Sequence, residues 1–172
     1  MDKKFVLMSG YPGSGKSTLA VSLAASLGFA LLSKDAMLIT LYGALEFAPG
    51  DAAASLRTGR AAWAVFWHQA RNSPEAVLDT NIQWNSSQQL AELRALGGRL
   101  VEVRCECSPE IARERYAARA AAGHPTQRYS ELDDARLLAY GQPIGLGPLI
   151  SVDSSGPVIV EDVVSQVLAA LG

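Results

Sequence analysis

Hydrophobic positions along the chain fall into two kinds of segment. Short, nearly unbroken apolar runs alternate with longer stretches in which apolar residues recur every three or four positions. The first pattern predicts strands buried on both faces, and the second predicts amphipathic helices. Strands are expected at Lys4–Ser9, Phe29–Leu32, Ala76–Asp79, Leu100–Cys107 and Leu149–Val152. Helical spacing covers Ser17–Leu27, with Leu19, Ala20, Leu23, Ala24 and Leu27 on one side and Gly28 as the stop. Further helices are expected from Asp35 to about Leu41, over Ala52–Arg71 behind an Asp51 cap, over Ser86–Leu96, from Pro109 to about Ala122 and over Glu161–Leu171. Ser108-Pro109-Glu110 combines a capping residue with proline in the first turn, and Gly123-His124-Pro125 breaks the helix it starts. Gly141–Pro148, rich in glycine and proline, reads as a surface loop.

Strands alternating with helices predict a three-layer α/β sandwich around a five-stranded parallel sheet, because parallel strands need crossover connections. Ligands of such folds gather at the carboxyl ends of the strands. That rule directs attention to Gly10–Ser17, Ser33–Asp35, Asp79–Asn81, the segment from Ser108 and Asp153–Gly156. At 172 residues the chain is read as a single domain, 1–172. A hydrophobic fraction of 49% is ordinary for a globular protein, and a net charge of −2 favours neither a nucleic-acid coat protein nor a membrane-surface binder. The first apolar run, Phe5–Met8, is too short for a signal peptide or a membrane span. Cys105 and Cys107 lie one residue apart on a strand, poorly placed to bridge each other and without a zinc-type cluster. Reduced thiols and a cytoplasmic location are the expectation.

The most specific signal is Gly10-Tyr11-Pro12-Gly13-Ser14-Gly15-Lys16-Ser17-Thr18, which fits G-x-x-x-x-G-K-[ST] between a strand and a helix. Glycines let the loop curve so that its amides face phosphate oxygens, and the following helix adds its positive end. Gly13, Ser14, Gly15, Lys16, Ser17 and Thr18 are therefore expected to bind ATP. Lys16 supplies a cation for the β- and γ-phosphates, and the Ser17 hydroxyl is a ligand for Mg²⁺. A dinucleotide fingerprint is disfavoured because Thr18 stands where its third glycine belongs.

Two aspartates follow strands. Asp35 is placed to deprotonate an acceptor hydroxyl across the cleft, unless it or Ser33 merely caps the next helix. Val77-Leu78-Asp79 is an apolar strand ending in a carboxylate, the form of a group that supports Mg²⁺, with a turn-forming aspartate as the alternative. Arg115 and Arg119 are four apart and share a helix face, while Arg113 points elsewhere. A lid around 109–128 would let that pair offset charge on the transferring phosphoryl group; the alternative is a solvated charged helix. Trp63 and Trp67 also share a face, as core residues or as a stacking platform.

These segments together resemble the P-loop kinases typified by polynucleotide 5′-hydroxyl kinases, a group similar to chloramphenicol phosphotransferases and zeta-type toxins. The resemblance rests on Gly10–Thr18, Ser33-Lys34-Asp35, Val77-Leu78-Asp79-Thr80-Asn81, and Arg115 with Arg119. It implies a fold of the nucleoside-monophosphate-kinase kind, Asp35 as general base, the arginine pair as a lid element, and Val152–Gly156 as the border of an adenine site. One position departs from the polynucleotide kinases, which carry a phosphate-holding arginine three residues after the base; here it is Leu38. Arg57 and Arg60 are candidate substitutes. The expected activity is ATP-dependent transfer of a phosphoryl group to a small hydroxylated acceptor. A polynucleotide 5′-hydroxyl kinase is the runner-up, and a nucleotide-dependent switch without an acceptor the alternative of another class. The acceptor-side segment Ala36–Ala54 has no lysine or arginine, and Met37, Leu38, Ile39, Leu41, Tyr42, Leu45 and Phe47 give it the apolar character that suits a compact ligand.

Overall fold

A computed structural model describes residues 2–45, 51–124 and 131–172. Phe47, Pro125 and the end of the expected lid lie outside the described residues. Five parallel strands, β1 (Lys4–Gly10), β2 (Ala30–Ser33), β3 (Glu75–Asp79), β4 (Arg99–Glu106) and β5 (Leu149–Asp153), form one sheet in the order β2-β3-β1-β4-β5. The helices are α1 (Lys16–Leu27), α2 (Lys34–Ala44), α3 (Ala52–Asn72), α4 (Ser87–Ala95), α5 (Pro109–Ala121), α6 (Asp134–Tyr140) and α7 (Val160–Leu171). This is the expected α/β sandwich around a five-stranded parallel sheet.

The central position of β1 explains its composition. Phe5 to Gly10 are all buried, since β3 and β4 flank the strand and helices cover both faces. Val6 and Met8 pack with Val77, Val103 and Leu23 under α1 and α7, while Phe5 and Leu7 pack with Leu78, Phe66 and Trp67 under α3. Ser108 and Asp51 cap α5 and α3 as their sequences predict: Ser108 Oγ accepts from the Ile111 amide at 3.3 Å and Asp51 Oδ1 from that of Ala54 at 2.8 Å. No helix among the described residues is long and apolar enough to cross a membrane.

Three features depart from expectation. Strand β2 is shifted by one residue, and Phe29 instead packs from its turn against the core beneath α1. Helix α6, capped by Asp133, was not expected, because its seven residues are too few to show a repeating apolar face. The expected surface loop at Gly141–Pro148 exposes Gln142, Pro143, Gly145 and Pro148, but its other side is tied to the core, which sequence did not indicate. Ile144 is buried, and a Cβ on Gly147 would stand 1.9 Å from the Leu100 carbonyl oxygen, so this segment lies directly along β4. Its anchor is Glu102, only 1% exposed, whose carboxylate accepts from the Ser9 hydroxyl (2.5 Å) and from the amides of Ile144 (2.9 and 3.0 Å) and Gly145 (3.1 Å).

Candidate active site

The turn from β1 into α1 forms a concave loop because three of its residues take positive φ. Gly10, Gly13 and Gly15 stand at 122°, 89° and 91°, a region side chains rarely enter. Two of these glycines also sit against other backbone: a Cβ on Gly13 would be 2.5 Å from the Ala112 carbonyl oxygen, and one on Gly10 2.3 Å from that of Cys105. At Gly15 a Cβ would meet nothing within 4 Å, so that glycine serves the conformation alone. The Ser14 hydroxyl is fully buried and has no hydrogen-bond partner among the described residues. A loop of this curvature with an unmatched hydroxyl fits a polyphosphate.

Lys16 is 6% exposed and folds back on the loop, donating to the carbonyl oxygens of Gly10 (3.1 Å) and Tyr11 (2.7 Å). Burial lowers its pKa to about 8, against opposing pulls from Cys105, Asp79 and Asp35. A polyphosphate beside it would favour the charged form and raise that pKa. Binding of ATP at pH 8.5 should therefore take up a proton, seen by calorimetry in buffers of different ionisation enthalpy, and Lys16→Met should abolish the uptake.

Asp79 ends β3 with both carboxylate oxygens engaged. Oδ1 accepts from the Ser17 hydroxyl at 3.1 Å and Oδ2 from that of Ser33 at 2.9 Å. Burial raises its pKa, while the two hydroxyl contacts and Lys16 hold it down. A hydroxyl whose proton is committed to Asp79 turns its lone pairs toward the cleft. That hard oxygen donor set fits Mg²⁺.

Sequence left open whether Ser33 or Asp35 caps the helix after β2. Ser33 is the helix cap, with Oγ accepting from the Ala36 amide at 3.4 Å, so the Asp35 carboxylate is not used for capping. Asp35 instead pairs with Lys34 at 2.5 Å, a partner sequence reasoning missed. The Lys34 ammonium stands 5.8 Å from the centre of the Trp63 ring, and Trp63 stacks on Trp67 with centroids 5.6 Å apart. Trp67 is buried in the core beside Phe66, so the tryptophan pair supports Lys34, and through it Asp35, from the core outward.

Helix α5 is held at its root. Ala112 and Tyr116 pack with Leu132 and Leu137 against Tyr11 of the P-loop. Arg113 pairs with Asp134 of α6 and, through Nε, with the Leu132 carbonyl oxygen at 3.3 Å. Arg115 donates to the carbonyl oxygens of Ser154 (2.8 Å) and Ser155 (2.9 Å), and Arg119 lies over the Tyr116 ring at 5.6 Å. The helix is thus knitted to α6 and to the residues that follow β5. Its first two turns are thereby tied to the body of the fold.

One cleft collects Gly13, Gly15, Lys16, Ser17, Thr18, Asp35, Asp79, Arg115 and Arg119, together with Thr80 and Asn81. Every candidate residue except Ser14 lines it. Ser14 lines a second, adjoining cleft with Thr18, Cys105, Arg115, Ser154, Gly156 and Val158. Cys105 there is a neutral thiol, its pKa pushed up to about 11 by burial. Leu38 is buried in α2, and Arg57 and Arg60 are exposed on α3 outside both clefts.

Fold and site together define a P-loop nucleotide-binding protein of the kinase-like architecture. Residues 5–142 match the family described as AAA domain, and the chain belongs to that family. No curated protein matches it. Among solved structures it is similar to a Chloroflexus aurantiacus protein provisionally named a kinase, with 25% identity, full coverage of both chains and a TM-score of 0.84. The fold is shared with shikimate kinase of Acinetobacter baumannii in complex with shikimate (15% identity, 98% and 92% of the two chains, TM-score 0.61). It is also shared with the APS kinase of Mycobacterium tuberculosis in complex with AMPPNP and APS (22% identity, 99% and 98%, TM-score 0.57).

Proposed function

We propose that this protein is an ATP-dependent kinase that transfers the γ-phosphoryl group to a hydroxyl of a small molecule. The observation that carries the reading is the position of Asp35, in one cleft with Lys16, Ser17, Asp79 and Arg119. The acceptor O–H gives its proton to the Asp35 carboxylate as its oxygen attacks the γ-phosphorus; the bond to the bridging oxygen breaks and ADP leaves. Lys16 and the loop amides bear the phosphate charge, and Arg119 with Arg115 meets the charge that spreads over the equatorial oxygens. Mg²⁺, held at Ser17 with Asp79 fixing that hydroxyl, supplies further charge neutralisation when bound. Ser14, Thr18, Ser154 and Gly156 border the side on which the nucleoside would lie.

The relatives support a small acceptor: shikimate is named in one complex and APS in another. The buried Leu38 and the absence of Arg57 and Arg60 from the cleft lining argue the same way against a nucleic-acid end. The test is incubation with γ-labelled ATP and a panel of nucleosides, sugars, polyols, antibiotics and a single-stranded 5′-hydroxyl oligonucleotide. Label is expected in a small hydroxylated compound, with little change as salt rises. Efficient labelling of the oligonucleotide, weakening steeply with salt, would replace this reading by a polynucleotide 5′-hydroxyl kinase. ATP turnover with no acceptor labelled would favour a nucleotide switch.

A further inference from the structure

The step from β3 into the following loop leaves two polar groups unmatched at the floor of the cleft. Thr80 is 5% exposed, and its Oγ1 has no hydrogen-bond partner among the described residues. The neighbouring Asn81 is half-buried, and its Oδ1 is likewise buried and unpartnered. Both residues line the same cleft as Asp35 and Lys16. Folded proteins match nearly all such groups, because desolvating one without a partner destabilises the fold. Two in succession, beside a carboxylate, indicate that something from outside the chain matches them. Asp79 cannot take this part, since Ser17 and Ser33 already occupy both its oxygens.

We propose that Thr80 and Asn81 are positioning residues for the acceptor, and that the acceptor carries two adjacent hydroxyls. The inference rests on the kinase reading above. Its second half follows from counting donors and acceptors. An acceptor hydroxyl that gives its proton to Asp35 keeps two lone pairs, into one of which the Thr80 hydroxyl donates. Asn81 Oδ1 accepts only, and the reacting hydroxyl has no second proton to offer it. A neighbouring hydroxyl has one. One carboxylate and two neutral groups therefore select a vicinal diol, a pattern common to sugars and polyols, over an isolated alcohol. Thr80 and Asn81 directly follow Asp79, the last residue of β3, so the strand that fixes this carboxylate also places the two groups that would hold the diol.

The test uses the full chain with ATP and two probes, glycerol and 1,3-propanediol, the latter being glycerol without its central hydroxyl and so without adjacent hydroxyls, beside the wider acceptor panel. Wild type is expected to phosphorylate glycerol with roughly tenfold or greater preference in kcat/KM, and Asn81→Ala to erase that preference. Thr80→Val, which keeps shape and removes the unmatched hydroxyl, is expected to melt at or above the wild-type temperature. The same variant should bind ATP unchanged and lose about tenfold in transfer. A drop in melting temperature with transfer intact would make Thr80 structural and overturn its part. Equal use of both probes, or labelling only of panel compounds that lack adjacent hydroxyls, would overturn the diol and leave the kinase reading standing. No labelling of any acceptor would overturn both.

Discussion

Replacing Asp35 by asparagine should leave ATP affinity within about twofold while phosphoryl transfer falls about 10²–10⁴-fold, the usual effect of removing a general base. The substitution keeps size and hydrogen-bonding capacity. Ser33, not Asp35, caps α2, so the helix start survives the change. Both Asp79 oxygens keep their contacts with Ser17 and Ser33, so the Asp79 side of the cleft is also untouched. Lys34 loses its ion pair, yet that pair is partly exposed and contributes little to stability. Calorimetry with ATP beside an assay of transfer to the acceptor decides the matter. A large loss of ATP affinity with a modest loss of rate would reassign Asp35 to the metal or to the fold.

The largest expected effect on stability lies away from the chemistry. Glu102→Ala should destabilise the protein by about 3–5 kcal/mol, since it strands the Ser9 hydroxyl and the amides of Ile144 and Gly145 at about 1–3 kcal/mol each and opens a cavity. At this chain length each kcal/mol moves the melting temperature by roughly 2–4 °C, so a fall of about 10 °C is expected in a thermal scan. Ser9→Ala, which removes a single donor, should cost about 1 kcal/mol. Near-equal melting of the two variants would show that the carboxylate does not hold the 141–148 segment. That segment joins α6 to β5, and Arg104 Nη2 donates to the carbonyl oxygens of Tyr140 (3.3 Å) and Gly141 (2.7 Å) at its start. Melting at Glu102 should therefore loosen the packing of α6 against the P-loop's Tyr11.

Alternation along β4 places Glu102 and Arg104 on one face, and in an isolated strand that pattern reads as a solvated side. In a parallel sheet covered on both faces the same pattern means buried charge, so partners must exist. Their identity was not legible, because Ile144 and Gly145 are distant in sequence and donate through backbone atoms that any residue carries. The same reason hid the Arg115 contacts, which end on the carbonyl oxygens of Ser154 and Ser155.

The residue pattern alone determined the parallel α/β sandwich and the phosphate loop. Burial on both faces demands continuous apolar runs, and a loop with positive φ at Gly10, Gly13 and Gly15 demands glycine, so each requirement is written in residue types at short range. It also put Asp35 and Asp79 at the strand ends where ligands collect. Tertiary structure alone decided how the two carboxylates differ, one bound on both oxygens by Ser17 and Ser33, the other paired with Lys34 over Trp63 and Trp67. It likewise fixed the root of α5 on the P-loop and left Thr80 and Asn81 unmatched among the described residues, in the cleft that Asp35 also lines. Hydrogen bonds between strand ends and loops depend on how the crossovers pack in space, and no local spacing records that.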